Sequence, residues 1–468
     1  MNASPARDTA QPASYYEARR KIYPRETDGR FQRLRYIAIW ILLGLYYVLP
    51  WIPWDGRQSV LFDLPARKFY VFGLVFWPQD FFYLTWLLII LGLSLFFFTA
   101  LAGRLWCGYA CPQTVWTEVF IWIERKFEGD RNRRIKLDKA PWSLEKVLRK
   151  GGKHLAWVLL ALWTGFTFVG FFTPIHALWG KVTQFSTGPW ETFWVLFYSF
   201  ATWGNAGFRR EQVCKYMCPY ARFQSAMFDR DTLIIAYDTG RGEPRGARAR
   251  NADYRGKGLG DCIDCKACVQ VCPTGIDIRE GLQYECIACA ACIDACDAVM
   301  DKMNYPRGLV RYTSQHAMEG ATAHVVRPRM IVYGVLLAAL VVGFFVSISL
   351  RTPVGLDVMR DRNALYRALP DGSIENVYLL RILNKDTRSH VYVLGASGLP
   401  GISLEAGETA GTGDRGRHEV GPGEVYSLPV RVRVPRGEAT GSHEILFEVA
   451  AEDVPSLKAS REARFLGP

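Results

Sequence analysis

Residues 262–296 read CIDCKACVQVCPTGIDIREGLQYECIACAACIDAC. The eight cysteines of this stretch form two copies of one spacing, with gaps of two, two and three residues. Such runs hold [4Fe–4S] clusters in bacterial two-cluster ferredoxins, where the fourth cysteine of each run ligates the other cluster. The spacing therefore predicts one cluster on Cys262, Cys265, Cys268 and Cys296, and a second on Cys286, Cys289, Cys292 and Cys272.

Zinc is the alternative metal, because paired Cys-x2-Cys motifs also form zinc sites. A zinc site needs one tetrad with a long insert between its pairs, whereas this stretch holds two compact four-cysteine runs. The pattern therefore favours iron–sulfur clusters and a function in electron transfer. Asp297 stands where the general motif has proline, which concerns the local turn and not the ligand set.

Long apolar stretches without charged residues occur five times, and a bilayer span takes about 20 such residues. They are residues 36–54, 81–103, 155–175, 192–208 and 330–350, of which the fourth is the shortest. Trp and Tyr collect near their ends, as is typical of membrane interfaces. Buried helices of a soluble protein are the alternative, but uncharged runs of this length are rare in water. The sequence predicts an α-helical transmembrane bundle of five spans.

Lys and Arg are abundant in residues 1–35, 104–153 and 209–329 and sparse in residues 55–80 and 176–191. The basic N-terminus lacks the features of a cleaved signal peptide, so the first span is expected to direct insertion. The positive-inside rule then places the N-terminus and all twelve cysteines in the bacterial cytoplasm, and the C-terminal region in the periplasm. The net charge of +12 mostly reflects this bias, and no motif supports nucleic-acid binding.

The motif Cys-x3-Cys-Pro occurs twice, each time just after an apolar stretch, as Cys107, Cys111 and Pro112, then as Cys214, Cys218 and Pro219. Because proline favours the first turn of a helix, the second cysteine of each motif is expected near a helix N-terminus, which favours thiolate. Nearby positive charges are Arg104, Arg209, Arg210, Lys215 and Arg222. Four facing thiolates would suit Cu(I), zinc or a further iron–sulfur cluster, and buried structural thiols are the alternative.

The C-terminal region contains short alternating runs at residues 377–383, 391–394, 425–434 and 444–449, separated by Gly, Pro, Asn and Asp. This pattern predicts an immunoglobulin-like β-sandwich, although the Cys…Trp…Cys signature is absent. The predicted domains are a cytoplasmic basic N-terminus (1–35), transmembrane helices 1–4 (36–208), a cytoplasmic region (209–329) with the ferredoxin domain at about 255–300, a fifth transmembrane helix (330–350) and the periplasmic sandwich (351–468).

This combination resembles the FixG/RdxA/CcoG family of cytochrome c oxidase accessory proteins over nearly the full length. The matching motifs are WCGYACPQ at 106–113, CKYMCPYAR at 214–222, the paired ferredoxin runs, DKM at 301–303 and YPRGL at 305–309. The resemblance implies assembly of a cbb-type oxidase, with the protein acting as a cupric reductase that converts Cu(II) to Cu(I). It maps copper handling onto Cys107, Cys111, Cys214 and Cys218.

The resemblance implies membrane lipid, copper-delivery proteins and oxidase subunits as partners. The sequence is compatible with a homodimer and does not identify the cytoplasmic electron donor. Two other classes of protein stay open. The Cys-x3-Cys-Pro motif also occurs in polyferredoxin-type membrane subunits that pass electrons to other respiratory enzymes, and a non-enzymatic copper chaperone or redox sensor would use the same soft ligands.

Overall fold

The structure is a computed structural model that describes residues 21–250, 252–386, 388–406, 416–438 and 440–468, without the side chains of Arg222 and Ser225. Part of the predicted basic N-terminus and the charge of Arg222 therefore lie outside the described residues. The chain divides into two compact units whose segments alternate along the sequence. The first unit takes the described residues of Met1–Tyr47 with Leu93–Phe168 and Gly188–Gly334, and the second takes Val48–Gly92, Val169–Thr187 and Val335–Pro468.

The α-helices, in chain order, are α1 (Arg30–Val48), α2 (Phe81–Ala102), α3 (Leu105–Tyr109), α4 (Pro112–Glu128), α5 (Arg131–Lys139), α6 (Leu144–Val169), α7 (Ile175–Thr183), α8 (Pro189–Thr202), α9 (Pro219–Ala226), α10 (Thr239–Gly242), α11 (Ala267–Gln270), α12 (Ala291–Met303), α13 (Gln315–Met318) and α14 (Pro328–Ser349). Two π-helical segments, Trp203–Arg209 and Val213–Met217, follow α8.

Within the described residues, four helical segments are long and apolar enough to cross a membrane, namely Arg30–Trp51, Pro78–Ala102, Leu144–Val169 and Pro328–Ser349. They overlap four of the five predicted spans. The fifth, residues 192–208, falls on α8 and the π-helix Trp203–Arg209, and α8 alone has only 14 residues. Helix α6 begins at Leu144 rather than 155, because hydropathy marks the apolar part of a helix and not its basic first turns.

The core of the first unit forms where α4 packs against α6 and the π-helix Trp203–Arg209. Phe120, Trp157, Ala161 and Ala206 are buried there together. Helix α4 also buries Glu118, Glu124 and Glu128, so carboxylates as well as apolar side chains face this core. This packing holds the two Cys-x3-Cys-Pro motifs close together, because one motif precedes α4 and the other follows the π-helix.

The ferredoxin region lies between two short antiparallel strands, β6 (Ile234–Tyr237) and β7 (Val310–Thr313), which pair Ile235 with Tyr312. Cys268 of the first run lies in α11, and Cys292 and Cys296 of the second run lie in α12. Ile276, Ile278, Ile293 and Met300 are buried around them. The cysteines thus lie in a small apolar core closed by the two strands.

The second unit contains short strands after α1 and the predicted β-sandwich. The former are β1 (Pro53–Trp54), β2 (Arg57–Gln58), β3 (Val60–Asp63), β4 (Lys68–Val71) and β5 (Leu74–Phe76). The sandwich strands are β8 (Val354–Arg360), β9 (Arg367–Ala368), β10 (Ile374–Asn384), β11 (His390–Ser397), β12 (Ser403–Ala406), β13 (Arg417–Val420), β14 (Val425–Val434), β15 (Ser442–Ala451) and β16 (Lys458–Leu466). One sheet is ordered β12-β14-β10-β8 with β9 on β10, and the other β13-β11-β15-β16.

The sandwich core follows the alternation read from the sequence. Val430, Val432 and Val434 of β14 are fully buried, while Arg431 between them faces solvent. Tyr378 and Phe447 meet edge to face with ring centroids 5.0 Å apart. The strand prediction is therefore confirmed at each of the four runs.

A buried carboxylate joins the sandwich to the start of α2 inside the second unit. Asp80 accepts a hydrogen bond from the backbone nitrogen of Trp77 at 3.1 Å, close to the first turn of α2. The same carboxylate pairs with Arg351 at 2.5 Å and with Lys385 of the sandwich at 3.0 Å. These three residues are called the Asp80 clasp below.

Candidate functional site: the ferredoxin ligands and the four-cysteine site

The two ferredoxin runs have the same unusual backbone. Asp264 and Lys266 flank Cys265 with φ values of 52° and 58°, and Ala288 and Ala290 flank Cys289 with φ values of 52° and 59°. Non-glycine residues adopt this left-handed conformation rarely, and its recurrence turns successive N–H groups toward one side. Concave backbone of this kind surrounds anionic centres such as iron–sulfur clusters.

The structure places cysteines of the two runs close to one another. Cys296, from the second run, lies within electrostatic range of Cys268 and Cys265 in the first. Cys286 is similarly close to Cys289 and to Cys272, the last cysteine of the first run. These proximities agree with the exchange of fourth ligands in a two-cluster ferredoxin, and the ligand assignment stays a prediction.

The second set surrounds a small cavity. Its lining includes Cys272, Cys286, Cys289 and Cys292, together with Cys268 and the side chains Ile235, Ile276, Ile278 and Ile287. Burial raises the pKa of Cys286 and of Cys296 to about 12, so a metal must displace their protons when it binds. Thiol donors around a small apolar cavity fit a [4Fe–4S] cluster.

Two buried cations lie beside these ligands. The guanidinium of Arg35 bonds Glu118 at 2.7 Å and lies within electrostatic range of Cys289. Arg279 pairs with Asp277 at 2.6 Å and is close to Cys268. Positive charge in this position offsets the negative charge of thiolate-bound iron, and it is one way a protein sets cluster potential. The sequence places Arg35 only in a basic N-terminal segment, because no neighbouring residue indicates its contact with Glu118.

Cys107, Cys111, Cys214 and Cys218 form a second cluster of thiols, called the four-cysteine site. Cys111 is the N-cap of α4 and Cys218 the N-cap of α9, each followed by proline as predicted. Cys214 lies within electrostatic range of the other three. The two motifs, more than a hundred residues apart in sequence, therefore meet.

Burial opposes the effect of basic residues at three of these thiols, Cys107, Cys111 and Cys214. Burial raises the pKa of Cys107 to about 11 and that of Cys214 to about 12, and it also raises the pKa of Cys111. Burial raises the pKa of each of these thiols by more than the positive charge of Arg104 lowers it. A metal that binds these three thiols must therefore displace their protons.

The four-cysteine site is not a preformed single-ion site. Over the part of the chain that the structure describes, no group of three His, Cys, Asp or Glu side chains is arranged to hold a metal ion. A metal bound by these thiols therefore needs their side chains to turn toward it. All twelve cysteines are free thiols in the structure.

The four-cysteine site touches the second ferredoxin run directly. A Cβ placed on Gly108 would lie 2.7 Å from the carbonyl oxygen of Ile287 and 2.9 Å from the Cα of Cys289. Only glycine permits this approach without a shift of the backbone. Cys107 is buried in one apolar cluster with Cys289.

Arg104 bridges the same two regions. Its Nε donates to the side-chain oxygen of Gln224 at 3.1 Å, which also accepts a hydrogen bond from the Sγ of Cys107 at 3.1 Å. Its Nη1 donates to the carbonyl oxygens of Tyr284 and Cys286. Sequence reasoning noticed Arg104 as a nearby charge but missed Gly108 and Gln224, for which spacing gives no signal.

Comparison with known proteins agrees with this geometry. Residues 209–315 match the family described as 4Fe-4S dicluster domain, residues 83–129 the 4Fe-4S binding domain, and residues 344–468 the IG-like fold at the C-terminus of FixG. Nitrogen fixation protein FixG of Rhizobium meliloti (strain 1021) is 39% identical, over 94% of this chain and 91% of its own length. The chain belongs to the FixG/RdxA family.

Protein RdxA of Cereibacter sphaeroides is 42% identical over 84% of this chain and 86% of its own length. Among solved structures, a FixG-related protein from Vibrio parahaemolyticus shares 29% identity, with a TM-score of 0.21, over 24% of this chain and 95% of its own. Family membership, the dicluster match and the apolar helices together identify a membrane-associated iron–sulfur electron-transfer protein with an Ig-like C-terminal domain.

Proposed function

We propose that this protein reduces Cu(II) to Cu(I) at the four-cysteine site, for insertion into a cbb-type cytochrome c oxidase during its assembly. Reduction of copper takes one electron, and iron–sulfur clusters held by the ferredoxin cysteines supply electrons singly. Copper is the substrate. Cu(I) is softer than Cu(II) and prefers thiolate ligands, so buried cysteines retain the product better than the starting ion.

The direct contact between Gly108 and the Ile287–Cys289 backbone carries this proposal. It leaves no room for intervening side chains between the Cys-x3-Cys-Pro loop and the second ligand run. Arg104 fixes the arrangement further, since one guanidinium holds Gln224, which accepts from Cys107, and the carbonyl of Cys286. A copper ion bound there would lie beside its source of electrons.

The proposed setting is the bacterial inner membrane, with the cysteines on the cytoplasmic side and the sandwich in the periplasm. The support is the concentration of Lys and Arg in residues 104–153 and 209–329, which flank apolar helices. Copper-delivery proteins and oxidase subunits are the proposed partners. The sandwich is the proposed docking element for them, and its described residues include no cysteine.

The test compares two multiple variants of the full-length protein, purified anaerobically. Replacing the four cysteines of the four-cysteine site by alanine should leave about eight iron atoms per chain, because the ferredoxin runs supply their own ligands. Copper binding and Cu(II) reduction by the pre-reduced protein should both fall sharply. The matched variant, Cys265→Ala with Cys289→Ala, should lose iron and reduction but keep copper binding. Normal copper reduction in the fourfold variant would refute the proposal.

A second candidate function is that of an electron-transfer subunit serving another respiratory enzyme, with a third iron–sulfur centre on the four-cysteine site. The observation that favours it is the match of residues 83–129, which include Cys107 and Cys111, to a 4Fe-4S binding domain. The fourfold variant separates the two functions. Under the second, native protein would contain about twelve iron atoms per chain and the variant about eight.

A further inference from the structure

A second cavity of the first unit lies outside the sites described so far. Its volume is about 420 Å³, which is in the range of cavities that take drug-sized ligands. The walls come from α4, α6, the π-helix Trp203–Arg209 and the residues that follow it. The lining consists of Lys21, Ile22, Glu124, Lys150, Lys153, His154, Trp157, Gly207, Phe208, Arg210 and Glu211.

One wall of this cavity is aromatic. His154 stacks on Phe208 with ring centroids 5.8 Å apart and planes inclined by 14°, and Trp157 meets both rings edge-on. Gly207 of the π-helix packs closely on this wall, since a Cβ there would lie 3.2 Å from Trp157. Single π-helical turns inside longer helices are frequent at functional sites. A flat, conjugated ring is the ligand that such a wall favours.

The rest of the lining is charged but internally compensated, and Lys153 and Arg210 lie over the Trp157 ring at 4.6 and 5.6 Å from its centroid. Glu124 pairs with Arg210 at 2.9 Å, and Lys153 pairs with Glu128 at 2.8 Å. The two remaining lysines of the lining, Lys21 and Lys150, both pair with Asp138 at 2.5 Å. Every cation of the described lining thus has a carboxylate partner. A nucleotide or a phospholipid headgroup would have to break these pairs, whereas a neutral ligand with polar groups would not.

The cavity lies where α6 changes from basic to apolar, between Lys153 and Leu155. This is the level at which the proposed membrane boundary crosses the helix, so the ligand can arrive through the lipid. A smaller neighbouring cavity shares Ile22, Arg210 and Glu211 with it and reaches Cys214 of the four-cysteine site. The ligand position is therefore close to the iron–sulfur and copper chemistry.

We propose that this cavity binds the ring of a membrane quinol, which donates electrons to the protein. Oxidation of the quinol breaks its two O–H bonds and leaves the quinone. The two protons pass in turn to the ring of His154, which is half-buried, and from there to water. The two electrons leave singly to oxidised iron–sulfur centres, one electron to each. The proposal rests on the electron-transfer part of the proposed function and not on copper as acceptor.

The binding test uses the full-length protein in lipid nanodiscs and azido-substituted benzoquinone and naphthoquinone probes. We expect light to attach the probe to peptides from 144–169 and 203–211, and excess unlabelled quinone to prevent this. Phe208→Ala should weaken binding about tenfold, the effect of losing one aromatic contact of about 1.4 kcal/mol. Leu159→Ala, on the exposed face of the same helix, is the matched control and should bind normally.

The redox test mixes each protein with the reduced quinol anaerobically, without copper, and follows cluster reduction by electron paramagnetic resonance. Native protein and Leu159→Ala should be reduced, while Phe208→Ala and His154→Ala should respond at least tenfold more slowly but reduce fully with dithionite. Labelling elsewhere, unaltered labelling in Phe208→Ala, or protection by an anionic lipid instead of quinone would overturn the proposal. Copper reduction by dithionite-treated protein would survive any of these results, so failure here is distinct from failure of the proposed function.

Discussion

Gly108 packs against the backbone of the second ferredoxin run, with no room for a side chain between them. Gly108→Ala should push the Ile287–Cys289 backbone away and cost about 1–3 kcal/mol, as overpacking does. We expect iron to fall from about eight toward about four atoms per chain, because only the second ligand set is distorted. Iron analysis and cluster spectra measure this. Gly151→Ala, where a Cβ meets nothing within 4 Å, is the control, and equal iron loss in both would contradict the explanation.

The Arg35–Glu118 pair is a second residue-scale feature with a measurable consequence. Burial alone would raise the pKa of Glu118, but Arg35 and then Arg125 outweigh it and hold that pKa below its usual value. A carboxylate with a lowered pKa stabilises the fold above its unfolded pKa of about 4.3 and loses that effect as pH falls through the folded value.

Glu118→Gln should therefore lower the free energy of unfolding by about 3–5 kcal/mol at pH 7, because it leaves Arg35 buried without a charged partner. The difference from native protein should shrink in acid, below about pH 4. Denaturant unfolding in detergent at several pH values provides the measurement. Glu145→Gln removes one partner of the exposed Arg149 pair and should change stability by less than about 1 kcal/mol.

The ligand runs, as elements, depend on residues held in a left-handed conformation. Ala290, fully buried with a φ of 59°, is the N-cap of α12 and directly follows Cys289. Ala290→Gly should be neutral or stabilising by up to about 1 kcal/mol, since glycine adopts this conformation freely. Ala290→Val should instead destabilise the fold, because a β-branched side chain tolerates this conformation poorly. A chelator should therefore remove iron faster from Ala290→Val than from Ala290→Gly. Equal dissociation from both variants would show that the conformation carries no strain.

Sequence spacing predicted the elements that local rules determine. Helix starts at Cys111 and Cys218 follow from the prolines, and the alternation of β14 follows from its valines. The crossed ligand sets stay a prediction from the gaps between cysteines. The raised pKa of Cys214 was not predicted, because the burial that causes it comes from residues distant in sequence. The contact of Gly108 with Ile287 could not be predicted either, because a tertiary contact of this kind produces no periodic pattern in the sequence.

The π-helix Trp203–Arg209 shows the same limit for helical spans. The sequence WGNAGFR predicts the end of an apolar span, and nothing in its composition distinguishes wider winding from an ordinary helix. Wider winding is favoured here by packing, since Gly207 faces Trp157 and Gln113 donates to the carbonyls of Asn205 and Arg210. Hydropathy therefore predicted the apolar stretch at residues 192–208 but not its π-helical end.

For the whole molecule, the proposed topology predicts the sidedness of reporter fusions. Alkaline phosphatase fused after Pro468 should be active, because the enzyme folds only outside the cytoplasm, and the same reporter inserted near Gly256 should be inactive. The prediction rests on the distribution of Lys and Arg among the loops. A green fluorescent reporter at the same two positions is the complementary control and should give the opposite result. Activity at Gly256 would reverse the orientation and place the cysteines in an oxidising compartment.

The Asp80 clasp limits how the sandwich can turn about the end of α14. A domain joined only by a flexible linker rotates through all orientations about that linker, and only some of these orientations allow a partner to bind. Arg351 and Lys385, both held by one buried carboxylate, remove that freedom. The membrane partner proposed above would search in two dimensions, and a fixed orientation of the sandwich would leave lateral diffusion as the main step before contact. Much of the ordering entropy of docking is then paid during folding rather than at each encounter.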